Sequence, residues 1–231
     1  VGFLRTLNGQ TVTFAPDDAI YTIPAGINDR ATIAGSYQDT AQAWHGFLRS
    51  ADGGITVFDD PDANTNGNGT IATAINNNGA VTGFYEDKYT YTFRAFFRDQ
   101  SGSFINFDTG TGIAPIAYPV AINLGDEIAG FSEAAYTYGF LRDTSGKVTD
   151  FETSDYATYV AGMNDDGAVV GSWEGSKETV AFVRDADGRS VSFIAPYPSY
   201  RTAAEAINKN GTVTGNWQDT NYVFHGFVQK K

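Results

Sequence analysis

A phrase of the form Gly-Phe-Leu-Arg returns along the whole chain, and this periodicity constrains the fold more than any other feature. Its copies are Phe3-Leu4-Arg5, Phe47-Leu48-Arg49, Phe96-Phe97-Arg98, Phe140-Leu141-Arg142, Phe182-Val183-Arg184 and the degraded Phe227-Val228-Gln229, spaced 42 to 49 residues apart. Between them lies a second phrase, for example TAINNNGAVTG. Its asparagine recurs as Asn28, Asn76, Asn123, Asn164 and Asn208, and a glycine follows seven residues later as Gly35, Gly83, Gly130, Gly171 and Gly215. Self-similarity at such a period marks a repeat architecture in which each unit buries its apolar face against the next.

Each repeat reads as four strands, here called A to D. Strand A is a run of small residues ending in Ile-Asn, as in Ala72 to Asn76. A turn rich in Asn and Gly leads to strand B, Ala80 to Glu86 in that copy, because these residues accept positive φ. Strand C is the Gly-Phe-Leu-Arg phrase. A second turn, with Gly9, Gly53, Gly102, Gly146 or Gly188, leads to strand D, which ends near Phe14, Phe58, Phe107, Phe151 or Phe193. No window holds a 3.6-residue apolar period, so almost no helix is expected.

Four strands in about 45 residues predict an all-β fold, a five-bladed β-propeller of four-stranded antiparallel blades. Gly26, Ala74, Ala121, Gly162 and Ala206 then suit an innermost strand where blades converge, and the phenylalanines fill the wider gaps outside. The expected organisation is a single domain over residues 1–231, with repeats at about 1–44, 45–93, 94–138, 139–180 and 181–224 and a closing strand at 225–231. Strands from both termini would share one blade and remove the open edges. Six Gly-Phe copies for five blades leave one C strand to be displaced, added at an edge or paired with another chain. The expected state is therefore a monomer, with a strand-exchanged dimer as the alternative.

Composition limits the partners. The formal net charge is −12 and there is no basic run, which argues against nucleic acid and against an anionic membrane surface. No apolar run is long enough to insert in a membrane as a helix. There is no cysteine and there are only two histidines, His45 and His225, which excludes thiolate chemistry and a three-histidine metal site. No nucleophile elbow, Walker loop or zinc-protease motif is present.

The phrases INNNGAVTGFYED and INKNGTVTGNWQD, with HGFLR at His45 to Arg49 and strands ending in Phe-Asp, resemble the HAF-type extracellular repeat of bacterial secreted proteins. The chain departs from that repeat at Asp29-Arg30-Ala31, where the turn glycine is missing, and at Val180-Ala181-Phe182. The resemblance implies a secreted, extracellular or periplasmic protein with a propeller-like fold, and it transfers no catalytic motif.

Function is expected where the loops vary, on the B–C and D–A side, as in Asp59–Gly69, Tyr85–Phe93 and Asp108–Pro119. Just past the strand-B glycine come the pairs Tyr37-Gln38, Tyr85-Glu86, Ser132-Glu133, Trp173-Glu174 and Trp217-Gln218. An aromatic face beside a carboxylate or amide suits a sugar, whose CH groups stack while its hydroxyls donate. The competing reading is that the aromatic packs between blades and the Glu or Gln caps loop backbone. Glu205 stands in a strand-A slot that elsewhere holds Ala25, Thr73, Val120 or Ala161, so it should face a channel or pair with Arg201. Asp60, Asp62, Asn64 and Asn66 alternate along one loop and could wrap calcium, although Thr65 and Ile71 break the helix–loop–helix calcium pattern. No other cofactor is expected. The leading expectation is a secreted binding module for a glycan or small polar ligand. The alternatives are a glycoside hydrolase using Glu86, Glu133, Glu174 and Glu205, and a structural or adhesive domain.

Overall fold

A computed structural model describes residues 1–109, 116–152, 157–195 and 199–230. The stretch 110–115 of the Asp108–Pro119 loop, and Lys231 of the expected closing strand, lie outside the described residues. The chain forms two compact units, Val1–Asp108 and Thr109–Lys231. Every regular element among the described residues is a strand.

In the first unit, β1 (Gly2–Arg5) pairs with β2 (Thr11–Phe14). Two antiparallel four-stranded sheets follow. One holds β3 (Tyr21–Ile27), β4 (Ile33–Gln38), β5 (Trp44–Arg49) and β6 (Ile55–Phe58). The other holds β7 (Thr70–Ile75), β8 (Val81–Glu86), β9 (Phe93–Arg98) and β10 (Phe104–Phe107). In the second unit, β11 (Ile116–Ile122), β12 (Ile128–Glu133), β13 (Thr137–Arg142) and β14 (Val148–Phe151) make a third such sheet. The fourth is β15 (Ala157–Met163), β16 (Val169–Glu174), β17 (Thr179–Arg184) and β18 (Ser190–Phe193). One parallel bridge, Thr179 to Arg201, joins it to β19 (Ser199–Ile207), β20 (Val213–Asp219) and β21 (Phe224–Gln229).

The A-to-D order of each repeat is therefore the order of strands in each complete sheet. Among the described residues the end strands pair within their own units: β1 with β2 in the first. β21 takes the third place beside β20, with Val213 opposite Gln229 and Gln218 opposite Phe224. Each copy of strand C thus sits beside its own strand-B or strand-D partner, β17 and β21 being linked through the Thr179–Arg201 bridge, and 21 strands fit more blades than five.

The repeated residues have local causes. Each A strand carries a bulge at one fixed place, between Pro24 and Gly26, Ala72 and Ala74, Pro119 and Ala121, Val160 and Gly162, and Ala204 and Ala206. A bulge bends the strand and leaves one residue unpaired. It also drives a carbonyl into strand B, so that a Cβ built on Gly35 would lie 2.3 Å from Ile23 O and one on Gly215 only 2.0 Å from Ala203 O. That crowding is why strand B keeps glycine. The small residues of strand A reflect close approach between neighbouring sheets: a Cβ on Gly26 would lie 3.3 Å from Ile75, and one on Gly162 would lie 3.6 Å from the Ala206 Cα.

The arginine that ends strand C packs on aromatic rings. The Arg98 guanidinium lies 4.7 Å from the Phe58 ring of the preceding sheet, Arg49 lies 5.0 Å from Phe14, and Arg184 lies 4.6 Å from Phe151. Burial pushes the Arg98 and Arg184 pKa values down, yet a guanidinium remains charged. Asn28 Oδ1 accepts from Arg30 N and Thr32 N at 3.0 Å, and its amide donates to Asn76 O of the next sheet at 3.1 Å. Asn164 repeats this with Asn208 O at 3.1 Å. The asparagine therefore both closes its own turn and ties adjacent sheets. Where the turn glycine is missing, Ala31 itself adopts a φ of 56°.

Candidate functional site

The strand-B aromatics face a fixed partner on strand C: Tyr37 opposite His45, Tyr85 opposite Arg94 and Trp217 opposite His225. In these three repeats the partner is a basic side chain. The His45 ring lies 5.1 Å from that of Tyr37, and its Nδ1 and Nε2 lie 2.9 Å from Asp59 and 3.4 Å from Asp39. Arg94 grips Asp108 with two donations of 2.8 Å and stands 3.6 Å from Asp87. His225 stacks at 4.3 Å on Trp217 and reaches Asp219 at 3.1 Å.

This arrangement corrects the expectation of free aromatic platforms. Tyr37 is 7% exposed and Tyr85 fully buried, so neither offers a ring face to a sugar. Trp173 packs against the cluster of Ala129, Val160, Val169 and Phe182 and donates from Nε1 to Ser192 at 3.0 Å. Trp217 is occupied by His225. The neighbouring polar groups serve the loops: Gln38 donates to Gln42 O at 2.9 Å and Gln218 to Tyr222 O at 3.1 Å. Glu133 and Glu174 are exposed at strand ends. Glu205 is the bulge residue of β19, and its Oε1 accepts from Asn216 at 2.8 Å in place of the expected pairing with Arg201. Asp39, Asp87 and Asp219 each directly follow the strand-B pair, and Asp59 and Asp108 each directly follow the strand-D phenylalanine, but only the cross-strand register shows that they flank the basic residue of strand C.

The Asp59–Gly69 loop and the end of β8 build a site where a polar cluster and an aromatic cleft adjoin. Glu86 organises it, accepting from Asn64 Nδ2 at 2.8 Å, Asn68 N at 3.1 Å and Asn68 Nδ2 at 3.2 Å. The proposed calcium ligands diverge: Asp60 Oδ1 accepts from Asp62 N at 2.8 Å, Asp62 lies 3.5 Å from Lys88 Nζ, and Asn64 turns to Glu86. Among the described residues no three acids or histidines converge as metal ligands.

Beneath the loop, Asp60 is 2% exposed, with Asn106 Nδ2 3.2 Å from its Oδ1. Its Oδ2 and the Tyr85 hydroxyl are buried without a hydrogen-bond partner among the described residues. Burial pushes the Asp60 carboxyl above its usual value and the Tyr85 phenol well above its own. At Asp87 burial acts in the same direction, but donations from Thr90 N and Tyr89 N outweigh it and hold that carboxyl low.

Beside this cluster opens a cleft of about 310 Å³ lined by Ile23, Ser36, Trp44, Asn68, Ile71, Ala72, Phe84 and Phe93. The Phe84 and Phe93 rings meet edge-on at 5.8 Å, and Trp44 N donates to Gly67 O at 3.3 Å, which ties the loop to the cleft wall. None of the aromatics singled out from the sequence lines it. Trp44 and Phe93 stand two residues before the small residue of strand C, a slot that holds Thr137 and Thr179 in the next two repeats. That departure from the repeat is the signal that could have drawn attention to them.

Several solved structures resemble the chain. A catalytically inactive virginiamycin B lyase from Staphylococcus aureus with quinupristin matches at a TM-score of 0.59 and 14% identity, over 94% of this chain and 73% of the lyase. TolB from Acinetobacter baumannii matches at 0.59 and 12% identity, over 98% of this chain and 58% of TolB. A triple arginine mutant of AofleA from Arthrobotrys oligospora matches at 0.51 and 14% identity, over 96% and 72%. At these identities the likeness shows the fold alone, a propeller-like all-β repeat. No curated protein matches the chain. A family model matches residues 36–195, and the chain belongs to the family it describes, a protein of unknown function, DUF3466.

Proposed function

We propose that this protein is a secreted, extracellular or periplasmic module that binds a glycan or another small polar ligand in the cleft walled by Trp44, Phe84 and Phe93. Each sheet is one blade in this reading, and the variable loops form the ligand face. The observation that carries it is the make-up of the cleft. At about 310 Å³ it stands at the lower end of the range for ligand pockets, which suits a mono- or disaccharide-sized guest. Aromatic walls take the CH face of such a ligand, and Asn68, whose amide nitrogen is held by Glu86, offers its carbonyl oxygen to a hydroxyl. The extracellular location rests on the resemblance to HAF-type repeats.

Calorimetry against a panel of glycans and polar metabolites tests the reading, with Trp44 emission as a second readout. Trp44→Ala and Asn68→Ala are expected to weaken binding about tenfold, a loss of about 1.4 kcal/mol. Trp217→Ala, at a ring already stacked on His225, is expected to leave binding unchanged. Absence of any millimolar ligand in the panel refutes the proposal.

A carbohydrate-active enzyme is the second reading. Glu86 is committed to the loop; the acids beside it are Asp60 and Asp87, 2% and 6% exposed, the first held above its usual pKa by burial and the second held low by amide donations. Aryl-glycoside turnover that disappears in Asp60→Asn supports it, and absence of turnover removes it.

A further inference from the structure

We infer that the cleft of Trp44, Phe84 and Phe93 is a seat for an acetamido group, so that the ligand is an N-acetylated sugar; this rests on the glycan reading above. The polar atoms left open in the cleft are few, and their types select the guest. Ser36 Oγ accepts from Ala72 N at 2.8 Å and donates to Ala72 O at 3.4 Å, so it ties the two sheets together. Both oxygens of the neighbouring Glu86 are taken, Oε2 by Asn64 Nδ2 and Asn68 N, and Oε1 by Asn68 Nδ2. Asn68 therefore has its amide nitrogen held, and its Oδ1 stays open as an acceptor. The Trp44 backbone N–H goes to Gly67 O, while its indole Nε1–H has no hydrogen-bond partner among the described residues.

The cleft thus offers one acceptor, one donor and apolar walls that include Ile23 and Ile71 besides the aromatic rings. No charged side chain lines it, so an ionised ligand group would lose its hydration there without a counter-charge. A plain hexose suits it poorly, because each hydroxyl buried without a partner is costly.

A secondary amide asks for one acceptor at its N–H and one donor at its C=O, and Asn68 Oδ1 and Trp44 Nε1 are of those types. Its methyl group needs apolar cover, which Phe84, Phe93 and Ile71 give. All three requirements fall on one small planar group, in keeping with a cleft of about 310 Å³, and the hydroxyls of the sugar ring stay in water.

Calorimetry with N-acetylglucosamine and N-acetylgalactosamine, each set against its parent hexose, tests this. Fucose, which carries a methyl group without an amide, is the third arm. One N-acetyl sugar is expected to bind about tenfold or more tightly than its parent hexose and than fucose. Its acetyl methyl protons should receive the strongest saturation transfer from the protein. Trp44→Phe keeps an aromatic wall without the N–H, and Asn68→Ala removes the acceptor. Each should narrow the preference over the parent hexose severalfold while the melting temperature holds. Parent hexoses that bind as well as both N-acetyl sugars, or fucose that binds more tightly, overturn the acetamido inference and leave the glycan reading standing. So does a preference that survives both substitutions, or binding confined to other members of the wider panel. Absence of any ligand in that panel overturns both.

Discussion

Gly46 and Gly226 occupy the same place in the repeat, and the same substitution should be costly at the first and nearly neutral at the second. At Gly46 an alanine Cβ would sit 2.3 Å and 2.5 Å from two atoms of the Phe58 ring. The ring must retreat by about 1 Å to reach ordinary van der Waals contact. It has little freedom to do so, being 8% exposed, 6.1 Å from the Phe104 ring and beneath the Arg98 guanidinium. Overpacking of this kind costs about 1–3 kcal/mol, and outright expulsion of the ring would forfeit about 2–3 kcal/mol of burial. Gly46→Ala should therefore destabilise by about 2 kcal/mol. At Gly226 nothing lies closer than 3.9 Å, so Gly226→Ala should stay within about 0.5 kcal/mol of the parent. Urea denaturation measures both, with Trp44 reporting on the first site and Trp217, one residue from the partner of Gly226 on β20, on the second. Equal destabilisation by the two substitutions would refute the ring-over-glycine account.

Other consequences follow from named contacts. Asn28→Ala removes the one oxygen that accepts from both Arg30 N and Thr32 N, together with the donation to Asn76 O at a buried position, and should cost about 2–3 kcal/mol; Asn208→Ala, exposed and without an inter-sheet donation among the described residues, should cost about 1 kcal/mol by the same denaturation. Ala31→Gly relieves a φ of 56° and should stabilise the first unit by about 0.5–1 kcal/mol in the same urea titration. Burial raises the Asp60 pKa, so between the ordinary carboxylate range and that raised value the native state holds the proton that the unfolded state has released, and stability falls as pH rises through this window. Stability measured against pH should fall less steeply there in Asp60→Asn, and an unchanged slope would show that Asp60 is not the group responsible. Glu86→Ala frees Asn64 and Asn68, so amide exchange at Asn68 should accelerate while the β7–β8 strand amides keep their protection.

Periodicity makes the strands legible in the amino-acid order. Gly-Phe-Leu-Arg, Ile-Asn and the turn glycines recur because each does one local job: a ring over a small residue, an Asx turn, a positive φ. Local jobs leave local signatures, so strand order, antiparallel pairing and the small residues of strand A can all be read from the chain. The candidate site cannot be read in this way. The tyrosines at 37 and 85 look like platforms in sequence, but the register places a histidine or arginine across from each and buries the ring. Trp44, Phe84 and Phe93 come from three strands of two sheets, and nothing in their spacing announces that they meet.

The order of residues alone specifies a tandem of four-stranded units with six strands of the Gly-Phe or Ala-Phe kind and five A–B hairpins. Packing settles how the two end strands pair, β1 with β2 and β21 with β20. Packing also makes Glu205 a bulge residue and assigns Asp59 and Asp108 to the basic residue of the preceding strand. Those facts depend on register, and a single-residue shift in register leaves the sequence pattern almost unchanged while moving every side chain to the other face.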